Sequence, residues 1–245
     1  MIESKYKELL ELCLLKGFYS QNRTGVATYK LFAAQLKADL SKGFPVMTSK
    51  KIFFDKALAE FEWMIAGRTD IEFLNERGVQ YWNSFAKNGN VGKVYGYQLR
   101  KYNGTFDQFN YALQEIGKGS RRAVITFWNP TDLKEQALPS CYTEMVFVKE
   151  GPVLNMSFAL RSSDMFLGLP YDMIIGALFL THAAELTGHE PGTVAYNLAD
   201  AHIYENHIKQ VEQYIDNPVH PLPKYKNGVL NNYKHENYIK AELVK

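Results

Sequence analysis

The chain is predicted to fold as an α+β protein, and three observations predict it. Runs of alternating apolar and polar residues, the strand period, occur over residues 26–40 and in a hairpin formed by 143–149 and 153–160. Apolar segments of helical length stand at 54–65 and 171–187. The two kinds do not alternate regularly, as βαβ crossovers would, so a doubly wound parallel sheet is not expected. With 245 residues, 46% of them apolar, and no low-complexity stretch, repeat or Gly/Ser linker, the expectation is one domain over 1–245.

Each element has its own local reason. Residues 4–16 are charged and leucine-rich, with Gly17 as the stop, and read as a first helix. In the extended stretch that follows, Leu36, Ala38 and Leu40 share one face while Lys37 and Asp39 take the other. Gly43-Phe44-Pro45 breaks it. The helix over 54–65, ended by Gly67, carries Glu60 and Glu62, which a two-residue spacing sends in different directions. A helix over 70–77 stops at Gly78, and residues 83–103 hold most of the loop signals, Tyr95-Gly96 among them. A helix over 106–116 leads through 117–120 into a strand over 123–128. The hairpin turns at Glu150-Gly151-Pro152, with Leu154, Met156, Phe158 and Leu160 on one face of its second strand. Residues 171–187 are too apolar for a surface helix and belong in the core, with Gly188 as the stop. A last helix is expected over 204–215, before a tail rich in Pro, Asn and Tyr.

Composition narrows the classes of function. A formal net charge of +2 implies no general affinity for nucleic acid, so anion binding falls to local arginines. Cys13 and Cys141 are too few for a disulfide framework, and no signal peptide is recognisable. No apolar run approaches the ~18 residues that span a bilayer. A cytoplasmic chain with reduced thiols and no membrane partner is expected. No metal is expected either, because His202 and His207 are five apart, off the spacing that puts two ligands on one helix face, and no Cys-x-x-Cys occurs. Neither Gly-x-Gly-x-x-Gly nor a Walker loop is present, which argues against a bound dinucleotide or nucleoside triphosphate.

Some residues nevertheless carry chemistry. Cys141 follows Leu138-Pro139-Ser140 at the expected start of a strand, where nearby arginines would favour its thiolate; the bland alternative is a buried thiol. Cys13 lies on the apolar face of the first helix and reads as a core residue. Arg23 in a turn, Arg121-Arg122 before a strand and Arg161 after one could grip a phosphomonoester with their guanidinium forks, or simply solvate the surface. Neighbours in a strand face opposite ways, so Arg121 and Arg122 are not expected to serve one site by simple extension.

Taken in order, these residues resemble thymidylate synthase along nearly the whole chain. The resemblance is carried by Arg23-Thr24-Gly25, Gly43-Phe44-Pro45, residues 60–63, Trp82, Val94-Tyr95-Gly96, Ser120-Arg121-Arg122 and residues 139–141. It continues through residues 161–170, Asp200-Ala201-His202-Ile203-Tyr204 and the tail to Ile239-Lys240-Ala241 and Lys245. The Arg-Ser-x-Asp-x-x-Leu-Gly-Leu-Pro run is its most specific part. The resemblance implies a large mixed sheet packed with helices, with a sheet face forming a homodimer interface. It implies Cys141 as the nucleophile at C6 of a pyrimidine and Glu60 as the organiser of water and protons. Arg23, Arg161 and Ser162 would hold the phosphate, joined by Arg121 and Arg122 from the partner subunit, and His202 and Tyr204 would hold the sugar. The cosubstrate would be 5,10-methylenetetrahydrofolate, with Asp164 on the pterin, Tyr95 and Trp82 along the folate side, and Leu167, Gly168 and Tyr171 nearby.

Four departures from the synthase pattern stand out. Asp172 replaces an asparagine, Leu160 a glutamine, Tyr142 a histidine and Ala201 a threonine. An asparagine amide donates to O4 of uracil and accepts from its N3–H, whereas cytosine presents the inverse pattern. A carboxylate accepts from the C4 amino group, and from N3 once attack at C6 lets that nitrogen hold a proton. Asp172 therefore points to a cytidylate, dCMP or CMP; its bland alternative is a cap for the apolar helix that begins there. The same substitution occurs in deoxycytidylate hydroxymethylases of phages and in cytidylate hydroxymethylases of nucleoside-antibiotic pathways, in which water captures the C5 methylene. The expected activity is thus cytidylate 5-hydroxymethyl transfer. A thymidylate synthase or cytidylate methylase is the near rival, and a non-catalytic nucleotide- or RNA-binding regulator the distant one.

Overall fold

The structure is a computed structural model that describes residues 1–244; Lys245 lies outside the described residues. In chain order the elements are α1 (Ile2–Lys16), β1 (Phe18–Ser20), β2 (Thr28–Asp39), α2 (Phe54–Ile65), α3 (Glu72–Glu76), α4 (Tyr95–Lys101) and α5 (Gln108–Gly117). They continue as β3 (Val124–Thr126), β4 (Tyr142–Glu150), β5 (Val153–Leu160), β6 (Ser163–Asp164), α6 (Leu169–Thr187), β7 (Glu190–Tyr204), α7 (Ile208–Asp216), β8 (Lys224–Lys226) and β9 (Val229–Asn231). This is the expected α+β class. The chain forms two compact units: residues 1–54, 160–177 and 193 onward make one, and residues 55–159 and 178–192 the other.

In the first unit β2 lies antiparallel to β1 on one side and β7 on the other, with Thr28 opposite Tyr204 and Asp39 opposite Thr193. The two-residue β6 runs parallel to β7, setting Ser163 beside Ala201 and Asp164 beside His202, so the pairing is mixed. Leu36 and Ala38 are buried and Lys37 exposed, as the alternation requires. Helix α1 is tied down by a buried carboxylate. Glu3 accepts from the backbone N–H groups of Thr48 (2.8 Å) and Ser49 (2.7 Å), from Thr48 Oγ1 and from the Tyr214 hydroxyl (2.6 Å). Such a group is tolerable in the core because its lone pairs are satisfied.

In the second unit β3 pairs with β4 and β4 with β5. The inward face of β5 is the one anticipated, with Leu154, Met156 and Phe158 essentially inaccessible. Phe61, Phe109 and Phe127 each bring a ring to Phe179. Helix α6, apolar all round, is buried continuously from Met173 to Leu180, as its composition demands. Among the described residues no helix is long and apolar enough to cross a membrane, and no group of three or more potential ligands could hold a metal ion.

Elements that differ from expectation include the following. Residues 204–215 are not one helix: Tyr204 ends β7, Glu205–His207 form a 3-10 turn, and α7 starts at Ile208. The extended pairing reaches this far because Glu205 N–H still donates to Ala27 O at 2.9 Å. Residues 95–101, read as loop, form α4. The misleading signal was Gly96, which is a packing glycine: a Cβ there would lie 2.8 Å from Arg68 O.

Candidate active site

The predicted site residues divide between the two units, and each set is built within its own. In the second unit Cys141 sits half-buried immediately before β4. Its backbone N–H donates to the Tyr95 hydroxyl oxygen at 3.1 Å, so the first residue of α4 fixes the peptide that carries the thiol. On the other side Ser140, fully buried, donates through Oγ to Tyr142 O at 2.9 Å and through its N–H to Gln136 Oε1. Gln136 is anchored in turn on Lys93 O at 3.0 Å. The thiol therefore projects from a backbone braced at both ends, which suits a nucleophile better than a flexible loop would.

Tyr142, the departure beside Cys141, is buried among aromatic rings. Its centroid lies 4.7 Å from Tyr95 and 4.7 Å from Phe158, with Phe127 edge-on at 5.8 Å. The large apolar ring completes this cluster, and packing is what accounts for it here.

Glu60 and Glu62 diverge as their spacing requires: Glu62 is exposed, and Glu60 only 6% accessible. Each oxygen of the Glu60 carboxylate has its own donor. Trp82 Nε1 reaches Oε1 at 2.9 Å, and the Tyr81 hydroxyl donates to Oε2. Burial pushes the Glu60 carboxyl above its ordinary value, against the lowering effect of these two hydrogen bonds. Trp82 is itself buried, with Trp63, Phe85 and Tyr95 at 5.7, 6.0 and 5.9 Å. Tyr81 was not among the residues singled out from the sequence. A carboxylate this deep demands donors, and the aromatic neighbour of Trp82 was the available clue.

Arg121 and Arg122 both lie exposed in a turn before β3, and Ser120 Oγ accepts from Arg122 N–H at 3.1 Å. The objection drawn from strand alternation therefore lapses, because neither residue is in a strand. Cys13, by contrast, is a core thiol as expected: it donates to Tyr29 O at 3.2 Å, and burial pushes its pKa up to about 12.

In the first unit Arg161 and Ser162, both partly exposed, join the end of β5 to β6. Asp164 organises the turn that follows, its Oδ1 accepting from Phe166 N–H (2.9 Å) and Leu167 N–H (3.2 Å). Through the β6–β7 pairing this run lies beside His202, whose carbonyl accepts from Met165 N–H at 2.8 Å. His202 Nδ1 is 3.0 Å from Asp200 Oδ1, and its ring meets that of Tyr204 edge-on at 5.2 Å. Asp200 is held below the usual carboxylate range by this contact with His202. Ala201 is fully buried between Ser163 on β6 and Leu31 on β2. Arg23 is exposed in a turn that Asn22 closes by accepting from Thr24 N–H at 2.9 Å.

Helix α6 begins at Leu169, two residues earlier than expected, and this changes the reading of Asp172. The capping position falls on Gly168, whose carbonyl accepts from Asp172 N–H at 3.0 Å. Asp172 is thus inside the first turn rather than at its cap. A Cβ on Gly168 would lie 3.3 Å from Asp164 O and 3.8 Å from Asp172 Oδ2, so this glycine sits beside both aspartates. Leu167, Gly168, Tyr171 and Asp172 are all partly exposed. Lys50 is a further charged residue that the sequence did not single out. Buried, it donates to Phe166 O, lies 3.6 Å over the Phe166 ring, and has its pKa lowered to about 7 by burial against the opposing pull of Asp164.

Comparison with known proteins adds two findings. The family profile described as thymidylate synthase matches residues 4–244. A curated protein from Symbiobacterium thermophilum, called thymidylate synthase, is 38% identical over 250 residues, which cover 91% of this chain and 87% of that protein.

Proposed function

Because this chain belongs to the thymidylate synthase family, we propose that it is a one-carbon transferase acting at C5 of a cytidylate. The family uses 5,10-methylenetetrahydrofolate as cosubstrate, which supplies the one-carbon unit. The observation that carries the base assignment is Asp172, an acceptor-only group where the family pattern has an amide, placed past the capping position so that capping does not account for it.

In the proposed reaction the Cys141 thiolate adds to C6 and the electron pair of the C5–C6 bond moves to C5. C5 attacks the methylene carbon of the folate, whose bond to N10 opens as that nitrogen takes a proton; loss of the C5 proton then breaks the methylene–N5 bond, which releases tetrahydrofolate and leaves an exocyclic methylene at C5. Water adds to that methylene, and Cys141 departs from C6 with the electron pair of its C–S bond as the ring double bond is restored. The products are 5-hydroxymethylcytidylate and tetrahydrofolate. Glu60 orients the water and accepts or returns protons, for which a carboxyl with a raised pKa is suited. Arg23, Arg161 and Ser162 grip the phosphate, with Arg121 and Arg122 supplied by the partner of a homodimer. His202 and Tyr204 hold the sugar. Asp164, Leu167, Gly168 and Tyr171 attend the folate, and the exposed Tyr81 ring beside Trp82 gives a pterin an aromatic face. Phe32, 91% exposed on β2, fits a sheet face covered by a second copy. We place the enzyme in the cytoplasm.

A second reading is thymidylate synthesis from dUMP, favoured by the 38% identity to a protein of that name. One experiment separates the two. The protein is incubated with methylenetetrahydrofolate and dCMP, CMP or dUMP, with product masses and dihydrofolate absorbance both recorded. A hydroxymethylated cytidylate without dihydrofolate supports the proposal. Methylation of dUMP with stoichiometric dihydrofolate overturns it in favour of the second reading, and a methylated cytidylate keeps the base but not the water.

A further inference from the structure

Glu60 has two donors of different kinds. Trp82 Nε1–H on Oε1 is a donor only and is buried. The Tyr81 hydroxyl on Oε2 both donates and accepts, and its residue is 37% exposed. Successive residues of the 3-10 turn Tyr81–Ser84 thus grasp one carboxylate, one from the core and one from the solvent side. The turn is closed by Phe85 N–H on Trp82 O and by Ser84 Oγ on Tyr81 O, both at 3.0 Å. A tryptophan can orient Glu60 but cannot pass a proton onward. A tyrosine hydroxyl whose hydrogen points at the carboxylate can still accept a hydrogen bond from water on its own lone pairs.

We propose that Tyr81 is a positioning residue for the reaction: its hydroxyl holds Glu60 in one orientation, favours the ionised form, and connects that buried carboxylate to solvent. This rests on the reading of Glu60 as the proton and water organiser. The hydrogen bond from Tyr81 works against the effect of burial on Glu60, so its loss should move the Glu60 titration upward.

The test is Tyr81→Phe, which removes one oxygen from a partly exposed ring. In the nucleotide-free protein, carboxyl-13C glutamate labelling follows Glu60, its resonance assigned by its disappearance in Glu60→Gln. The expected result is a shift of the Glu60 deprotonation equilibrium toward the protonated form by about tenfold or more, the effect of one hydrogen bond to a charged group. In turnover, the acidic limb of the kcat profile should move to higher pH to the same extent, with KM for the nucleotide near its parent value. An unmoved Glu60 titration overturns the proposal, and so does a kcat profile that falls equally at every pH. A titration that shifts in a protein found to turn over dUMP alone supports the role of Tyr81 while retracting the cytidylate reading.

Discussion

Replacing Asp172 by asparagine exchanges an acceptor-only group for one that donates and accepts, without changing the shape of the side chain. Against cytidylate the introduced amide can no longer accept from both the C4 amino group and the protonated N3, so at least one buried pairing is lost and one donor is set against another. Each polar group left unpaired costs about 1–3 kcal/mol, and two cost about 2–6. That predicts a fall in cytidylate kcat/KM of roughly 30-fold to 10⁴-fold, together with a gain toward uridylate. Stability should change far less. Asp172 lies in the first turn of α6, where a negative charge interacts favourably with the helix N-terminus by about 0.3–1 kcal/mol. The melting temperature of a chain this size should therefore drop by only about 1–4 °C. The assay is initial-rate competition between dCMP and dUMP at fixed methylenetetrahydrofolate, with thermal unfolding of both proteins alongside. An unchanged ratio of cytidylate to uridylate turnover in a folded Asp172→Asn protein refutes the reasoning, since Asp172 would then not be the reader of the base.

Three further outcomes follow from the same geometry. Brief alkylation of the native protein near pH 8 should label Cys141 and spare Cys13, because a pKa of about 12 leaves about one Cys13 thiol in ten thousand ionised; peptide mass spectrometry reads the result, and label on Cys13 contradicts it. Tyr142→Ala should destabilise the protein by about 3–5 kcal/mol, as expected for emptying a buried aromatic position ringed by Tyr95, Phe127 and Phe158, and a much smaller loss in urea unfolding would mean that the cluster collapses to fill the space. Glu60 has a raised pKa, so its contribution to stability is fully present below the ordinary carboxylate value and is lost as the pH rises through the raised one. Glu60→Gln should therefore gain stability relative to the parent as the pH climbs above about 4.3, and a pH-independent gap between their unfolding curves argues against a raised value.

Much of the fold was legible because the burial pattern of single elements is written locally. The face of β5 and the divergence of Glu60 and Glu62 follow from spacing, and the core position of α6 from its apolar composition, and each is found as expected. Strand β7 is not among the expected elements although Val194, Tyr196 and Leu198 carry its period; Pro191-Gly192 stands at its start, and Asp200-Ala201-His202 interrupts the apolar signal. What holds those polar residues in a strand is pairing with β2 and β6, partners that are remote in sequence. Helix α4 was hidden for the converse reason. Gly96 is there to let the helix approach the backbone of Arg68, a tertiary requirement that mimics a local loop signal.

The site divides along the same line. Cys141, Glu60 and Trp82 can be named from the sequence as candidates, but the hydrogen bonds that hold them cannot. The brace from Tyr95 to the Cys141 peptide joins residues 46 apart, and that from Tyr81 to Glu60 joins residues 21 apart. Tyr81 shows why the omission matters. Beside an exposed glutamate it would be one more surface aromatic, and only the burial of Glu60, 6% accessible in the structure, turns its hydroxyl into a determinant of protonation. The same logic sharpened Asp172. Its one-letter difference from the family pattern suggested either a cap or a reader of the base, and the start of α6 at Leu169 moved the capping position to Gly168. With the cap set aside, what separates Asp172 from the asparagine of the family pattern is its acceptor-only chemistry, and a C4 amino group is the feature of a pyrimidine which that chemistry fits.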